Sequence, residues 1–398
     1  MENVSSNSYQ RCNITLKIDG VDTQLTPSSY AFTIFDSIYN FYPKAKLVIS
    51  DFMGNLNEYL AFVDGTEIEI SFGLTEDTMK TCKYTVVGNS VPNQTANGYG
   101  FGGTFELNLI HNYFYKQSKQ SRAFQDNISS IVKKLIKNYS FSSTDIEETN
   151  NSGYWYQPYI NDSEFIQNYL LPFAYSNSAR NTPFYCFINT NNEFHFKSFQ
   201  SMMNNNSVKE LTYTTDPLLV LADDTKFSTI NFAQTELSKL RPWFNCKYFS
   251  YDKDSKFVET NDSLLDYIKE NGKYPIKGSD FEKTNIISLY DDDLKLDDTK
   301  NNNKGYVINL HNEIMCPDKI IINTVIDTSL TCGKIVTINI PTTKSNNSDD
   351  YSIRNSGKYI IESSYHIWDG QKPRTMLVCS KQNVKLNSEY RNQNLLFS

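Results

Sequence analysis

The residues able to do chemistry are few and scattered. Four histidines, His111, His195, His311 and His366, are spread along 398 residues. A zinc site needs imidazoles or thiolates at short, regular spacing. No HExxH or HxH is present, and no His lies at ligand spacing from a carboxylate. His195 and His366 sit among aromatic residues on expected strands, the setting of a structural histidine. Seven cysteines (Cys12, Cys82, Cys186, Cys246, Cys316, Cys332 and Cys379) are odd in number and contain no CxxC pair. Neither a disulfide framework nor a zinc site has the spacing it needs. Most read as small apolar residues inside strands, such as Cys186 in Phe184-Tyr185-Cys186-Phe187, and the set points to a reducing compartment.

Other reactive patterns fail on their own terms. Cys186 or Cys246 with a distant His would make a nucleophilic dyad, but no local signature accompanies either. No GxSxG elbow and no GxxxxGK[ST] loop occurs. Gly98 to Gly103 is glycine-rich but is not followed by a helix, so a hairpin turn is expected there rather than a phosphate cradle. Asp252-Lys253-Asp254-Ser255-Lys256 opens like a calcium loop, then puts Lys at the third ligand position and lacks the later Gly and Glu. Asp291 to Asp298 carries enough carboxylates for a cation, yet reads as a solvated loop. The expectation is a chain without catalytic residues, metal or cofactor.

Composition narrows the field further. Net charge is -7 and the pI is near 5.3, against the clustered Lys and Arg that a nucleic-acid grip requires. An acidic or neutral wall would instead let a strand slide past without sticking. Aromatic residues make up 14%, with 27 Tyr and 25 Phe, favouring half-buried pleated surfaces. Without basic residues beside them, they suit core packing and subunit contacts better than base stacking. Met1 to Ser8 has neither the basic start nor the apolar core of a signal peptide, and no apolar run approaches a membrane span. Sequons such as Asn13-Ile14-Thr15 and Asn161-Asp162-Ser163 are expected by chance in an Asn/Ser-rich chain.

The elements that would position any site are mainly strands. Ile14, Leu16 and Ile18 alternate with polar residues, as do Leu47 and Ile49, and Ile68, Ile70 and Phe72. Asp19-Gly20, Asp64-Gly65 and Asn97 to Gly103 supply turns. One short helix is expected around 55–62. A helix capped by Ser121 is expected to align Phe124, Ile128, Ile131, Val132, Leu135, Ile136 and Tyr139, with Lys133, Lys134 and Lys137 in its last turns. A second starts at Asn161 with Glu164 as a capping box, buries Phe165, Ile166, Tyr169 and Leu170, and is kinked or ended by Pro172. A hairpin, 182–188 and 193–199, turns at Asn189 to Asn192. The division expected is a β unit over 1–115, an inserted α/β unit over 116–205, and a second β unit over 206–398. That last unit is interrupted by a polar insertion at about 240–305 holding a helix over 262–270.

The last unit echoes the first. Gly65-Thr66-Glu67-Ile68-Glu69-Ile70-Ser71-Phe72 matches Gly333-Lys334-Ile335-Val336-Thr337-Ile338-Asn339-Ile340 in pattern. Lys83-Tyr84-Thr85-Val86 is answered by Lys358-Tyr359-Ile360-Ile361, and a further strand follows each, 104–110 and 375–378. If such a chain trimerises with its two β units side by side, six similar units form a ring that matches a sixfold partner.

With these pieces in order, the sequence resembles the baseplate hub proteins of contractile-tailed bacteriophages, a family related to the N-terminal part of type VI secretion spike proteins. The resemblance is carried by Tyr30 to Ile38, Ala45 to Asp51, Gly65 to Gly73, Asn161 to Ile166, Phe194 to Ser198 and Ser356 to His366. It implies a β-dominated α+β fold of two tail-tube-like antiparallel β barrels with an inserted α/β domain. It also implies a homotrimer in the virion that adapts the sixfold tail tube protein to the threefold central spike protein. DNA and the tape-measure protein would pass through its lumen, and baseplate wedge proteins would be further partners. The 240–305 insertion has no counterpart in the family and is read as an elaboration that contacts neighbouring baseplate proteins. It implies no catalytic residue. The rival expectations are a receptor- or glycan-binding tail-tip protein, the hub of a noncontractile tail, or a cell-wall hydrolase.

Overall fold

A computed structural model describes residues 13–22, 29–51, 63–88, 93–97, 100–150, 152–174, 176, 183–234, 246–251, 257–260, 284–291, 318–342, 351–352 and 355–381. Strands dominate. The first region contains β1 (Asn13–Ile18), β2 (Val21–Asp22), β3 (Tyr30–Ser37), β4 (Lys44–Asp51), β5 (Glu67–Gly73), β6 (Lys80–Val86), β7 (Asn93–Asn97) and β8 (Gly100–His111). Alternation does what it should here: Ile68, Ile70 and Phe72 are fully buried while Glu67 faces water. β7 pairs antiparallel with β8, with Asn97 opposite Gly100; Gly100 to Gly103, expected in the turn, belong to β8, and residues 98–99 lie outside the described residues.

The middle region holds β9 (Gln120–Asn127), β10 (Ser143–Ile146), β11 (Ser152–Ile160), β12 (Phe184–Ile188) and β13 (Glu193–Ser198). The helix expected from Ser121 begins later. Residues 120–127 are strand β9, paired with β11, and the helix runs Ile128–Ile136. Asn127 is the cap, its side chain accepting from Ser130 N at 2.8 Å. Phe124 still packs on the same core, from a strand rather than a helix. The second helix does start after Asn161, but no side-chain cap forms. Asp162 is turned instead to Arg122 and Gln157. This helix (Asp162–Phe165) continues as a wide π turn (Ile166–Leu170) and a 3-10 turn that ends at Phe173, one residue past Pro172. Tyr169 stays 41% exposed rather than joining Phe165, Ile166 and Leu170 in the core.

The last region carries β14 (Ser207–Tyr213), β15 (Lys226–Phe227), β16 (Thr229–Gln234), β17 (Cys246–Tyr251), β18 (Phe257–Thr260), β19 (Thr284–Asp291), β20 (Asp318–Val325), β21 (Ile335–Asn339), β22 (Gly357–Trp368) and β23 (Pro373–Lys381). The polar segment expected over 240–305 contains a three-stranded sheet of its own, β18-β17-β19. The helices expected over 55–62 and 262–270 lie outside the described residues. Among the described residues no helix is long and apolar enough to cross a membrane.

Fifteen strands from the two outer regions join in one sheet system. In the first, the order is β3-β4-β8-β6-β5; in the last, it is β16-β20-β23-β22-β21. Every one of these pairs is antiparallel, and the strands follow one another along the chain in the same succession. Register agrees too. Ile68 faces Tyr84 and Glu69 faces Lys83, just as Val336 faces Tyr359 and Thr337 faces Lys358. Both inner strands start from a glycine with positive φ, Gly65 and Gly333. Gly65 N donates to Val86 O and Val86 N to Thr66 O (3.0 and 2.9 Å); Gly333 N donates to Ile361 O and Ile361 N to Lys334 O (2.8 and 2.9 Å). The two outer regions thus carry the same five-strand arrangement twice. They differ in the flanking strand: β1 runs antiparallel to β5, β14 parallel to β21. The main path ends at β2 and β15, with β15 packed against β20 outside any ladder.

Candidate functional site

The place where the two copies meet joins buried polar side chains from all three regions. It is built on β22. The first part of this strand pairs with β21, up to Ile360 opposite Ile335; from Ser363 to Trp368 it pairs with β3 instead, while β23 follows its other edge. A bulge between Ile361 and Ser363 makes the change of partner. An extra residue in one strand bends it and re-aims its side chains. That residue is Glu362, only 2% exposed. Its carbonyl accepts from Ile38 N at 2.9 Å, and Lys319 Nζ donates to its Oε2 at 2.7 Å. Its other carboxylate oxygen is buried without a hydrogen-bond partner among the described residues.

Beyond the bulge the joint is zipped by side chains. Ser363 Oγ donates to Ser37 Oγ at 2.9 Å, the Phe35 and Tyr365 rings lie 4.6 Å apart, and Trp368 enters the core of the first copy. His366 is fully buried, with Nδ1 3.1 Å from Thr375 Oγ1, and burial holds its pKa below the usual imidazole value.

Asp36, on β3, is the centre of this joint. It is 0% exposed. Its Oδ2 accepts from Thr190 N (2.8 Å) and Thr190 Oγ1 (2.9 Å) in the middle region; its Oδ1 accepts from Cys332 N (3.2 Å) and Ser364 Oγ in the last region. One carboxylate thus ties all three regions together. Charge-assisted hydrogen bonds are the strong kind, and a buried carboxylate survives only when they saturate it. Around it a bridging apolar cluster, including Ile38, Phe187, Cys332 and Ile360, draws from the same three regions. A second tie lies alongside. Glu193 accepts from Asn189 Nδ2 and pairs with Lys334, each at 2.7 Å, and lies 3.5 Å from His195 Nε2. The hydrogen bond to His195, helped by Lys334 and Asn189, lowers the Glu193 pKa to about 2.

The sequence candidates fall elsewhere. His195 stacks on Phe187, with ring centres 4.9 Å apart, as a structural histidine. His111 and Cys82 both reach a cleft of about 320 Å³ that is also lined by Lys80, Lys83, Lys116 and Tyr139. They are not poised as a dyad. Burial pushes the Cys82 thiol up to about 12 and the His111 imidazole down to about 4, the reverse of what a thiolate-imidazolium pair requires. Cys82 Sγ donates to Thr190 O, and His111 Nδ1 accepts from Tyr113 N. Cys186 is buried, with its pKa raised by that burial. Cys246 starts β17, and Asp291 ends β19. His311, Asp252 to Lys256, and Asp292 to Asp298 lie outside the described residues. No group of three or more His, Cys, Asp or Glu capable of holding a metal occurs among the described residues.

Sequence reasoning did not single out Asp36, Thr190 or Glu362. For Asp36 a signal existed. Tyr30, Phe32 and Ile34 occupy the inward positions of β3, and Asp36 is next in that parity. A carboxylate on a buried face needs partners from outside its own strand.

No family model matches the sequence, and no curated protein matches it. The fold, however, is shared by solved tail proteins. A tail protein from Neisseria meningitidis MC58 aligns at a TM-score of 0.54 over 93% of this chain and 96% of its own, with 9% identity. The 43 kDa tail protein of prophage MuSo2 from Shewanella oneidensis aligns at 0.53 over 92% and 95%, with 10% identity. The E. coli c3393 protein, described as a type VI secretion component similar to T4 tail proteins gp27 and gp5, aligns at 0.49 over 93% and 79%, with 10% identity. The fold is thus one that the two tail proteins share with this chain.

Proposed function

We propose that this chain is a structural, non-enzymatic hub of a phage tail baseplate, a homotrimeric adaptor between a sixfold tail tube and a threefold central spike. On this reading, 1–115 and 206–398 act as two tube-like barrels, 116–205 is the inserted α/β unit, and the stretch at about 240–305 reaches towards neighbouring baseplate proteins. The single observation that carries it is the duplication of one five-strand sheet, in the same order and register, within one chain. Three copies of such a chain present six similar edges. The fold shared with two tail proteins supports the same setting, and the acidic net charge of -7 suits a channel that passes DNA without gripping it. Light scattering on the chain mixed with the tube and spike proteins of its tail should give three copies per complex. A chain that stays monomeric beside both proteins contradicts the reading.

A second reading, a receptor- or glycan-binding tail-tip protein, draws on Tyr154, Tyr156 and Tyr159 of β11, which are 75%, 61% and 67% exposed. Exposed aromatic faces suit sugar rings or a partner surface. Binding to host cell-surface glycans that is lost in Tyr154→Ser/Tyr156→Ser would favour it; no binding to them disposes of it.

A further inference from the structure

The joint between the two copies inside one chain predicts the joint between chains. In the first copy Lys46 pairs with Thr33 on one side and Asn108 on the other; in the second, Ile321 pairs with Asn231 and Val378. Thr33 and Asn231 are thus equivalent, and so are Asn108 and Val378. Four residues back along β8 and β23, Thr104 and Arg374 are equivalent, and their partners are Asn93 and Ile367. Within the chain, Ile367 pairs with Thr33. The same contact rebuilt from the other two equivalents would set Asn93 of β7 against Asn231 of β16.

Among the described residues those two edges have nothing on them: β7 pairs only with β8, and β16 only with β20. An apolar residue marks the vacancy. Ile34 sits beside the intrachain joint and is 0% exposed, in a core completed by Trp368 from the other copy. Its equivalent on β16, one residue on from Asn231, is Phe232, and Phe232 is 59% exposed. An open edge carrying a bare aromatic at a position built for burial is a pairing site, not a finished surface.

We infer that the β16 edge of one copy takes the β7 edge of a second copy of this chain as an added antiparallel strand, with Asn231 within one residue of facing Asn93. The contact is head-to-tail, so it closes into a ring only if the rotation between units is constant. Three chains then alternate an internal and an external joint of the same kind. The inference rests on the threefold assembly proposed above, but can fail separately from it.

The test uses the full chain assembled with its spike protein. A variant carrying Asn93→Cys and Asn231→Cys, treated with a short bis-maleimide, should give bands at two and three chain masses and none beyond; either single variant should give none. Phe232→Asp should abolish the three-chain mass in light scattering while leaving monomer melting within about 2 °C of wild type, as surface changes do. A trimer that shows no cross-link, or that survives Phe232→Asp, overturns the edge pairing and leaves the trimer standing. Bands running past three keep the pairing and overturn the closed ring. No trimer and no cross-link overturns both.

Discussion

The two sheet copies share strand order, register and starting glycine, yet they live in different surroundings. Around the first, the joint supplies Trp368 from β22 and the middle region supplies Thr190 beside Asp36. Around the second, Gly333 is pressed against Phe187, whereas Gly65 in the first copy has nothing within 4 Å of where a Cβ would stand. The comparison teaches that duplication fixes the backbone pattern, while neighbours decide which equivalent positions are costly to change.

The largest effect is expected at Asp36, a carboxylate whose equivalent position in the other copy is Gln234. Asp36→Ala leaves four buried donors without an acceptor and should cost ~5 kcal/mol, with Asp36→Asn losing about half of that, in urea denaturation. If Asp36→Ala melts like wild type, the joint is not held by this residue.

Next comes the glycine pair. Both are left-handed, so any side chain strains each backbone; at Gly333 a Cβ would also lie 2.4 Å from Phe187 Cζ. Gly333→Ala should cost ~4 kcal/mol and Gly65→Ala ~1 kcal/mol. Equal losses would mean that Phe187 yields freely.

The apolar pair sharpens the contrast further. Ile34→Ala should destabilise the monomer by ~3 kcal/mol, and Phe232→Ala by less than ~0.5 kcal/mol. A large loss at Phe232 in the monomer would show that it already serves the core.

The smallest effect is on acid stability. His111 falls from 6.5 to about 4 on folding, so the unfolded chain binds the extra proton and stability declines as pH drops between those values. At ~1.4 kcal/mol per pKa unit the drop is worth ~3 kcal/mol at most, and His111→Gln should flatten this part of the slope. Glu193 falls from 4.5 to about 2, so its contribution is present above 4.5 and lost below that, at ~1 kcal/mol after screening by water. Thermal melts across pH 3–7 should therefore show two successive losses of stability, the His111 one first.

Much of this was legible beforehand. Gly65 and Gly333, each followed by alternating apolar residues, and the Lys-Tyr pairs at 83–84 and 358–359 announced the repeat, because register leaves a period-two imprint. The hairpin of β12 and β13 was legible from its asparagine turn. What lay hidden depended on distance along the chain. Asp36 meets Thr190 across 154 residues and Ser364 across 328, and no local pattern encodes such partners. Ser121 to Asn127 looked helical because Phe124 falls on the helix stripe; pairing with β11 overrode that spacing. The bulge at Glu362 left no trace beyond an acidic residue among strand formers.

A three-dimensional reconstruction of the assembled tail end, made without imposed symmetry, tests the duplication most directly. Six sheet units are expected around a common axis at 60° steps, two from each chain, alternately joined within and between chains. Three units of one kind with an unrelated trio stacked above or outside them would contradict it.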